Sequence, residues 1–262
     1  MWWNPYWALS DRQRNMVAVA SLLAVLGVWS LLSGLQIISP VKLPSPWQTA
    51  NALSYLAWYK GHSLLLEATL WSLGRVAVAS VLVVLVGVPV GALMGADPKI
   101  NAALSPLIDP FRSAPVVAFL PILVMWIGIG EEMKVAFLFL GAVVYLIPMV
   151  RDAVRAVPQT YWISAYDLGA TPFEAVTKSV LPMARPRIAD AIIVSVSIIW
   201  TYITVAEYVN AEKGLGQLIQ NSKRFGAMDQ VFVGIAVIVI LALLTYQSML
   251  FIKKKLYPWE VE

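Results

Sequence analysis

The amino-acid sequence predicts an all-α fold, a polytopic bundle of transmembrane helices. Of the 262 residues, 60% are hydrophobic and only 13% are charged, whereas soluble domains carry roughly a quarter charged residues. Several apolar segments are long enough to cross a bilayer core of about 30 Å. The chain has no cysteine and a single histidine, His62. Disulfides and thiolate chemistry are therefore excluded, and a zinc site is not expected.

About six apolar segments are predicted to span the membrane. Ahead of the first, aromatic side chains lie beside basic ones, which is typical of an anchor at the membrane interface; these residues are Trp2, Trp3, Tyr6, Trp7, Arg12 and Arg14. A short interfacial helix is expected at residues 49–59. The predicted spans are residues 16–38, 67–95, 113–129, 135–150, 188–205 and 231–252.

Glycine and proline positions add detail to two of these spans. Gly87, Gly91 and Gly95 recur every four residues, which predicts a face where another helix packs closely. Pro115 and Pro121 predict a kink in the third span, because proline removes a backbone donor and crowds the preceding turn.

The distribution of basic residues predicts the orientation. If the N-terminus is cytoplasmic and the spans alternate, twelve of the 19 Lys and Arg residues fall in cytoplasmic segments and six in external ones, with Arg75 inside a span. Cytoplasmic loops carry the excess of positive charge in membrane proteins. Both termini and the loop 151–187 are therefore expected in the cytoplasm.

Within that loop, two short helices are predicted to form a pair. The first begins at Pro158, which suits a first helical turn, and runs to Leu168. Gly169 closes it, because glycine readily adopts the positive φ of a helix C-cap. The second has Thr171 as N-cap, with Pro172 and Glu174 completing a capping box. It is expected to stop at Pro182.

This helix pair resembles the cytoplasmic loop of the membrane subunits of bacterial ABC importers. The loop of that family has the pattern Glu-Ala-Ala, three residues, Gly, nine residues, Ile, one residue, Leu-Pro. Ala165 matches the second Ala, Gly169 matches the Gly, and Leu181 with Pro182 matches the closing pair. Further segments, at residues 43–49, 111–132 and 206–219, resemble the nitrate/sulfonate/taurine/bicarbonate branch of the family.

Three positions depart from the family pattern. Ile163 stands in place of the Glu, Ser164 in place of the first Ala, and Ser179 in place of the Ile. Without the Glu, this chain lacks one polar contact to the ATPase that the family pattern implies. Ser164 or Glu174 is then expected to supply that contact.

The resemblance implies a type I ABC importer permease in the bacterial inner membrane. Residues 1–262 then form one permease domain, in which 1–65 hold the anchor, first span and external connection, and 66–262 the core with a coupling loop at 151–187. The implied partners are a second copy of the chain, two ATP-binding subunits, an external substrate-binding protein and lipid, without nucleic acid. The sequence contains no Gly-x-x-x-x-Gly-Lys-Ser/Thr segment to hold nucleotide phosphates. The chain is thus expected not to be an enzyme and to bind no cofactor, ATP and Mg²⁺ being held by partner subunits.

In this family the cytoplasmic helix pair fits a groove in the ATPase subunit. The resemblance implies neither a catalytic residue nor a metal site in this chain. It does imply a role in coupling to the ATPase for Ile163, Ser164, Ala165, Asp167, Gly169, Ala170, Thr171, Pro172, Glu174, Leu181 and Pro182.

The translocation pathway has fewer candidates. Arg75 lies within a long apolar run, where it either extends to the outer interface or faces the bundle interior and meets an anionic substrate. Polar residues near the end of the fifth span either line the route or hydrogen-bond between helices. The pathway residues that we predict are Arg75, Trp200, Tyr202, Thr204 and Glu207.

The resulting functional hypothesis is an ATP-driven importer subunit for a small anion, such as nitrate, bicarbonate, taurine or an alkanesulfonate. One alternative is an importer permease for another small solute, such as an amino acid or osmolyte. A channel or secondary carrier that works without ATP is a second alternative, and a membrane scaffold that moves no solute is a third.

Overall fold

A computed structural model describes residues 10–39, 41–58, 61–209 and 211–260, and the regular elements within these ranges are helices. The predicted interfacial anchor formed by Trp2, Trp3, Tyr6 and Trp7 lies outside the described residues. Contacts divide the chain into two compact units, Met1–Leu64 with Ile219–Gly234 and Leu65–Leu218 with Ile235–Glu262.

The first unit contains helices α1, Asp11–Gly34, and α2, Pro46–Ala57. Each begins with a capping box, in which a serine and the glutamine three residues later satisfy each other's backbone N–H groups. Trp29 of α1 donates from Nε1 to the carbonyl of Pro44 at 2.9 Å. Its ring also stacks on Phe232 at 5.6 Å between centroids.

The second unit holds most of the remaining helices and most of the buried core. The helices of this unit are α3 Leu64–Ala96, α4 Pro98–Ile108, α5 Leu120–Ile127, α6 Glu131–Arg155, α7 Gln159–Asp167, α8 Pro172–Glu174 and α9 Leu181–Tyr208. Helices α10, Leu215–Arg224, and α11, Met228–Leu256, follow in the sequence.

The long helices α6 and α9 pack against each other along this unit. Phe137 and Leu146 of α6 and Ile199 and Ile203 of α9 are fully buried. Burying apolar side chains in this way supplies the packing that holds the bundle together.

The glycine face of α3 packs on α6, which confirms the prediction from its spacing. A Cβ added to Gly87 would lie 2.7 Å from Leu146, one on Gly91 would lie 2.5 Å from the carbonyl oxygen of Ile147, and one on Gly95 would lie 2.6 Å from Val154. The two backbones therefore approach each other at a distance that only glycine allows.

The third predicted span, residues 113–129, is wrong as a single helix. Helix α4 with its 3₁₀ extension ends at Arg112, and the segment Val116–Ile127 leaves it at an angle of 97°. Pro115 at the corner is extended, with ψ of 100°. A proline also disfavours helical backbone at the residue before it, here Ala114. The eight residues of α5 rise only about 12 Å, too little to cross a bilayer alone. The described residues thus contain five helices long enough to span, or six if this bent pair forms one span.

The predicted stop at Pro182 is also wrong. A π-helical turn, Ala175–Val180, joins α8 to α9, so that helix continues from Pro172 to Tyr208 over 37 residues. A wider π turn just before a proline relieves the clash between its ring and the preceding turn, where a regular α-helix would break.

Candidate functional sites: a helix pair and the Arg75 cluster

The helix pair, residues 159–180, has the turn that the sequence predicts. Gly169 has φ of +80°. Its N–H donates to the carbonyl of Tyr166 at 2.9 Å, and the N–H of Ala170 donates to Ala165 at 3.0 Å. These two bonds form a Schellman motif, which satisfies the last carbonyls of α7.

The second helix of the pair begins with the predicted capping box. Thr171 Oγ1 accepts from the N–H of Glu174, and the Glu174 carboxylate accepts from the N–H of Thr171 at 3.1 Å. Ser179, where the family has Ile, donates from Oγ to the carbonyl of Tyr161 at 3.2 Å. This bond ties the π turn to α7 and holds the two short helices together.

The tip of the helix pair exposes large apolar side chains. Leu168 is 89% exposed and Phe173 is 76% exposed. Between the two helices lies a groove of about 400 Å³ lined by Ser164, Glu174 and Lys178 among others. A capped, well-formed element with an apolar tip is typical of a surface that binds another protein.

The predicted coupling residues all lie in this element or directly after it. Ile163, Ser164, Asp167, Gly169, Thr171 and Pro172 are exposed, and Ala165, Ala170, Glu174, Leu181 and Pro182 are half-buried. None is fully buried, so each is at or near a surface that a partner can reach.

A second candidate site surrounds Arg75, whose side chain is buried within the protein. Its Nε and Nη2 donate to the two oxygens of Glu131 at 2.6 and 2.8 Å. Its Nη1 donates to Glu207 Oε1 at 2.6 Å and to the carbonyl of Lys213 at 2.8 Å. A bidentate carboxylate pair of this geometry orients the guanidinium strongly.

Glu207 is fully buried and is held from three directions. Besides Arg75, its carboxylate accepts from Ser72 Oγ at 2.7 Å and from the N–H of Gly216 at 2.7 Å. Ser72 Oγ in turn accepts from the N–H of Leu215 at 2.9 Å. The carboxylate of α9 therefore caps the N-terminus of α10, where the helix dipole favours negative charge.

The glycines before α10 allow this approach. Gly214 has φ of +133°, and a Cβ there would lie 2.5 Å from Glu207 Cδ and 2.6 Å from Arg75 Nη1. A Cβ on Gly216 would lie 2.9 Å from Glu207 Cβ. Any larger residue at Gly214 would displace the ion pair.

Lys134 completes the group, donating from Nζ to Glu131 at 2.8 Å while buried. We call Ser72, Arg75, Glu131, Lys134 and Glu207, with the backbone of residues 213–216, the Arg75 cluster.

At the rim of the cluster, Lys213 pairs with Glu67 at 2.6 Å, and this hydrogen bond raises the pKa of Lys213 above its ordinary value. The Lys213 ammonium and the Arg75 guanidinium also lie 5.8 and 5.6 Å from the centroid of the Trp71 ring. A cavity of about 370 Å³ adjoins these groups.

The structure brings together only some of the predicted pathway residues. Arg75 and Glu207 are in direct contact, and the backbone of Thr204 lies against Gly216. Tyr202 instead packs on α6, edge-on to Phe137 and over Gly141. Trp200 is buried about two helical turns before Glu207, and its Nε1 has no hydrogen-bond partner among the described residues.

The sequence did not identify Ser72, Glu131 or Lys134 as members of a site. Both Glu131 and Lys134 fall in the short connection between the predicted spans 113–129 and 135–150. A signal was present, since Glu131 and Lys134 are spaced i, i+3 at the start of an apolar helix. No cluster of metal-ligating residues occurs in the parts of the chain that the structure describes.

Residues 87–257 match the protein family described as the binding-protein-dependent transport system inner membrane component. The chain belongs to this family. It is therefore a multi-pass inner-membrane permease subunit of an ABC importer, a class that works with ATP-binding subunits and a substrate-binding protein.

Curated relatives of the permease cover nearly its whole length. The taurine transport system permease protein TauC of Escherichia coli is 34% identical over 98% of this chain and 93% of its own. The putative aliphatic sulfonates transport permease protein SsuC of Bacillus subtilis is 26% identical, covering 90% and 84%. The bicarbonate transport system permease protein CmpB of Synechocystis is 26% identical, covering 92% and 88%.

Solved structures agree with the type I permease fold. An inward-facing conformation of the MetNI methionine ABC transporter has a TM-score of 0.66 and 25% identity, over 73% of the permease and 95% of that chain. An amino acid ABC transporter solved with histidines has a TM-score of 0.62 at 17% identity, over 72% and 92%.

Proposed function

We propose that this permease subunit imports a small anion, with taurine and alkanesulfonates as the first candidates and nitrate and bicarbonate as further ones. The support for this substrate class is that relatives named for taurine, aliphatic sulfonates and bicarbonate align over most of the chain. The chain supplies the translocation pathway and itself performs no covalent chemistry, and ATP with Mg²⁺ is bound and hydrolysed on partner subunits.

The observation that carries the coupling role is the exposed apolar tip of the helix pair. Leu168 and Phe173 are held out by a Schellman turn and a capping box. Six membrane spans do not need this element for their own packing, whereas an apolar groove on an ATPase subunit would cover it. The polar contact that the family's Glu would supply falls to Glu174 or Ser164.

The same proposal gives the chain a topology and an assembly. Both termini and the helix pair lie in the cytoplasm, and the Arg75 cluster lies at the external end of the bundle. Residues 1–262 act as one permease domain, with 1–65 as anchor, first span and connection and 66–262 as core. Two copies, two ATP-binding subunits and one external binding protein form the transporter.

Within this assembly, Arg75, Trp200, Tyr202, Thr204 and Glu207 are proposed to line the pathway. Support comes from the buried position of Arg75 and from the buried, unpartnered Nε1 of Trp200. A buried polar group without a partner is costly unless another molecule supplies one, and water or a solute in the pathway would do so.

The test is to reconstitute the complex with its ATP-binding subunits and binding protein and to measure ATP-dependent uptake. Taurine, an alkanesulfonate, nitrate and bicarbonate would be compared with methionine and histidine, which represent the amino-acid alternative. Uptake of an anion that requires ATP supports the proposal. Amino-acid uptake alone, or uptake that persists without ATP, would replace it with one of the alternatives.

A further inference from the structure

We propose that the Arg75 cluster is a latch that closes the external end of the pathway and is released through helix α9. The proposal rests on the transport function proposed above and adds the element that opens. In the described conformation the latch holds residues 213–216 against α3 and α9.

The latch joins three helices and one connecting segment at a single guanidinium. Arg75 comes from α3, Glu131 from α6 and Glu207 from α9, and Arg75 and Glu207 also bind the backbone of Lys213 and Gly216. The two carboxylates neutralise Arg75 in this conformation. An anionic solute therefore meets a guanidinium that is already occupied, and the cluster acts here as a closure.

Helix α9 connects the latch to the helix pair. Helix continues from Pro172 to Tyr208 over 37 residues, which corresponds to a length of roughly 55 Å. One end is capped by Thr171 at the exposed tip, and Glu207 is the penultimate residue of the other. Because a helix is stiff along its axis, displacement of the helix pair by an ATPase subunit would move Glu207 against Arg75.

The two carboxylates differ in what happens when α9 moves. Glu131 belongs to α6, and its side chain is 45% exposed, so it keeps part of its hydration and its bidentate bond to Arg75. Glu207 is fully buried and would leave together with the N-terminus of α10. Opening would thus free the Nη1 edge of Arg75, which is the kind of donor that binds a sulfonate or another oxyanion.

Such a latch is expected to have two states rather than a continuum. Separating a buried ion pair by a small distance loses Coulomb attraction without giving either charge water or a new partner. Closely packed elements likewise switch between discrete arrangements. The partially open positions are therefore unfavourable, and the segment 213–216 is either held or released.

The natural absence of cysteine allows a direct test with the double variant Ser72→Cys/Leu215→Cys. The 2.9 Å bond from the Leu215 N–H to Ser72 Oγ limits the two Cα atoms to a separation of about 7 Å, close enough for a disulfide or a short thiol-specific linker. The assembled complex in proteoliposomes would be oxidised without nucleotide and, separately, with ATP and a hydrolysis-deficient ATPase subunit. Each single-cysteine variant serves as the control for oxidation alone.

We expect rapid cross-linking without nucleotide and cross-linking at least about tenfold slower in the ATP-bound complex. The cross-linked complex should lose ATP-driven uptake and recover it on reduction. Equal cross-linking rates in both states would overturn the latch, as would a fully cross-linked complex that still transports. Uptake by the wild-type complex tests the proposed function separately, so the two failures are distinguishable.

Discussion

Gly91 on α3 lies so close to Ile147 on α6 that a Cβ on Gly91 would be 2.5 Å from the Ile147 carbonyl oxygen. The obstacle is backbone, which cannot rotate away. At Gly87 the nearest atom is Cδ2 of the Leu146 side chain, which can move. At Gly74 no atom lies within 4 Å of the added Cβ.

Three alanine variants should therefore rank by stability. Gly91→Ala should lower the free energy of unfolding by about 1–3 kcal/mol through overpacking, and Gly87→Ala by less. Gly74→Ala should be neutral or stabilising by up to about 1 kcal/mol, because alanine favours helix. Thermal unfolding of the purified permease in detergent measures the order. The close approach of α3 and α6 would be contradicted if the Gly91→Ala protein unfolded at the same temperature as the Gly74→Ala protein or at a higher one.

A second prediction concerns the ion pair of Arg75 and Glu207. Arg75→Gln leaves the fully buried Glu207 without its counter-charge and should cost about 3–5 kcal/mol. Glu207→Gln should cost less, because Arg75 keeps its bidentate pair with Glu131. The double variant should cost clearly less than the sum of the two, because it removes both charges. Thermal unfolding of the four proteins gives the coupling energy.

Asp190→Asn is the matched control, since it breaks an ion pair of α9 whose carboxylate is half-exposed. Such a change should stay within about 1 kcal/mol. Additive costs of Arg75→Gln and Glu207→Gln would mean that the two side chains do not share one buried network. The buried contacts of Arg75 predict that Arg75→Gln impairs assembly of the complex as well as transport.

The helix pair shows what local sequence signals can predict. Gly169, Thr171 and Glu174 lie within six consecutive residues, so the turn and the capping box follow from residue type and spacing. The glycine face of α3 could likewise be predicted from the sequence, because a spacing of four residues places the glycines on one side of a helix. Both features depend on short-range order, which a single sequence contains.

The Arg75 cluster depends instead on long-range contacts. Arg75 and Glu207 are 132 residues apart, and no local pattern says that α3, α6 and α9 meet at one point. Pro182 and Pro115 show the complementary difficulty. A proline predicts that a regular helix is interrupted or distorted. The packing around the proline decides whether the distortion is a π turn, as before Pro182, or a 97° corner, as at Pro115.

A third prediction tests the helix pair. The double variant Gly169→Val/Thr171→Ala places a side chain at φ of +80° and removes a cap, at roughly 1 kcal/mol each. The bundle should stay folded, while binding of the ATPase subunit weakens or its activity no longer depends on substrate. Co-purification and substrate-stimulated ATPase activity measure these effects.

The chain provides a matched control for this variant in Ser45→Ala/Gly226→Val. Ser45 caps α2 with the same kind of box, and Gly226 has φ of +71° with open space around its Cβ position. This control should cost similar local stability and keep ATPase coupling. If both double variants behave alike, the helix pair has no special role in coupling.

A fourth prediction concerns orientation and again uses the absence of cysteine. Thr171→Cys should react with a membrane-impermeant thiol reagent only from the cytoplasmic side, and Lys213→Cys only from the outside. Both positions are exposed, so accessibility within the protein does not limit the reaction. Inside-out and right-side-out vesicles give the two measurements. The reverse pattern at both positions would invert the topology, and with it the placement of the latch.

The exposed tip formed by Leu168 and Phe173 has a consequence for how the cell makes this protein. Lipid covers the apolar spans, but in the proposed topology the tip projects into the cytoplasm, beyond the reach of lipid. Apolar surface left in water promotes aggregation. A permease made in excess of its ATPase would display this surface to chaperones and proteases. We therefore expect surplus chains to be degraded, so that the amount of ATPase sets the amount of permease that accumulates.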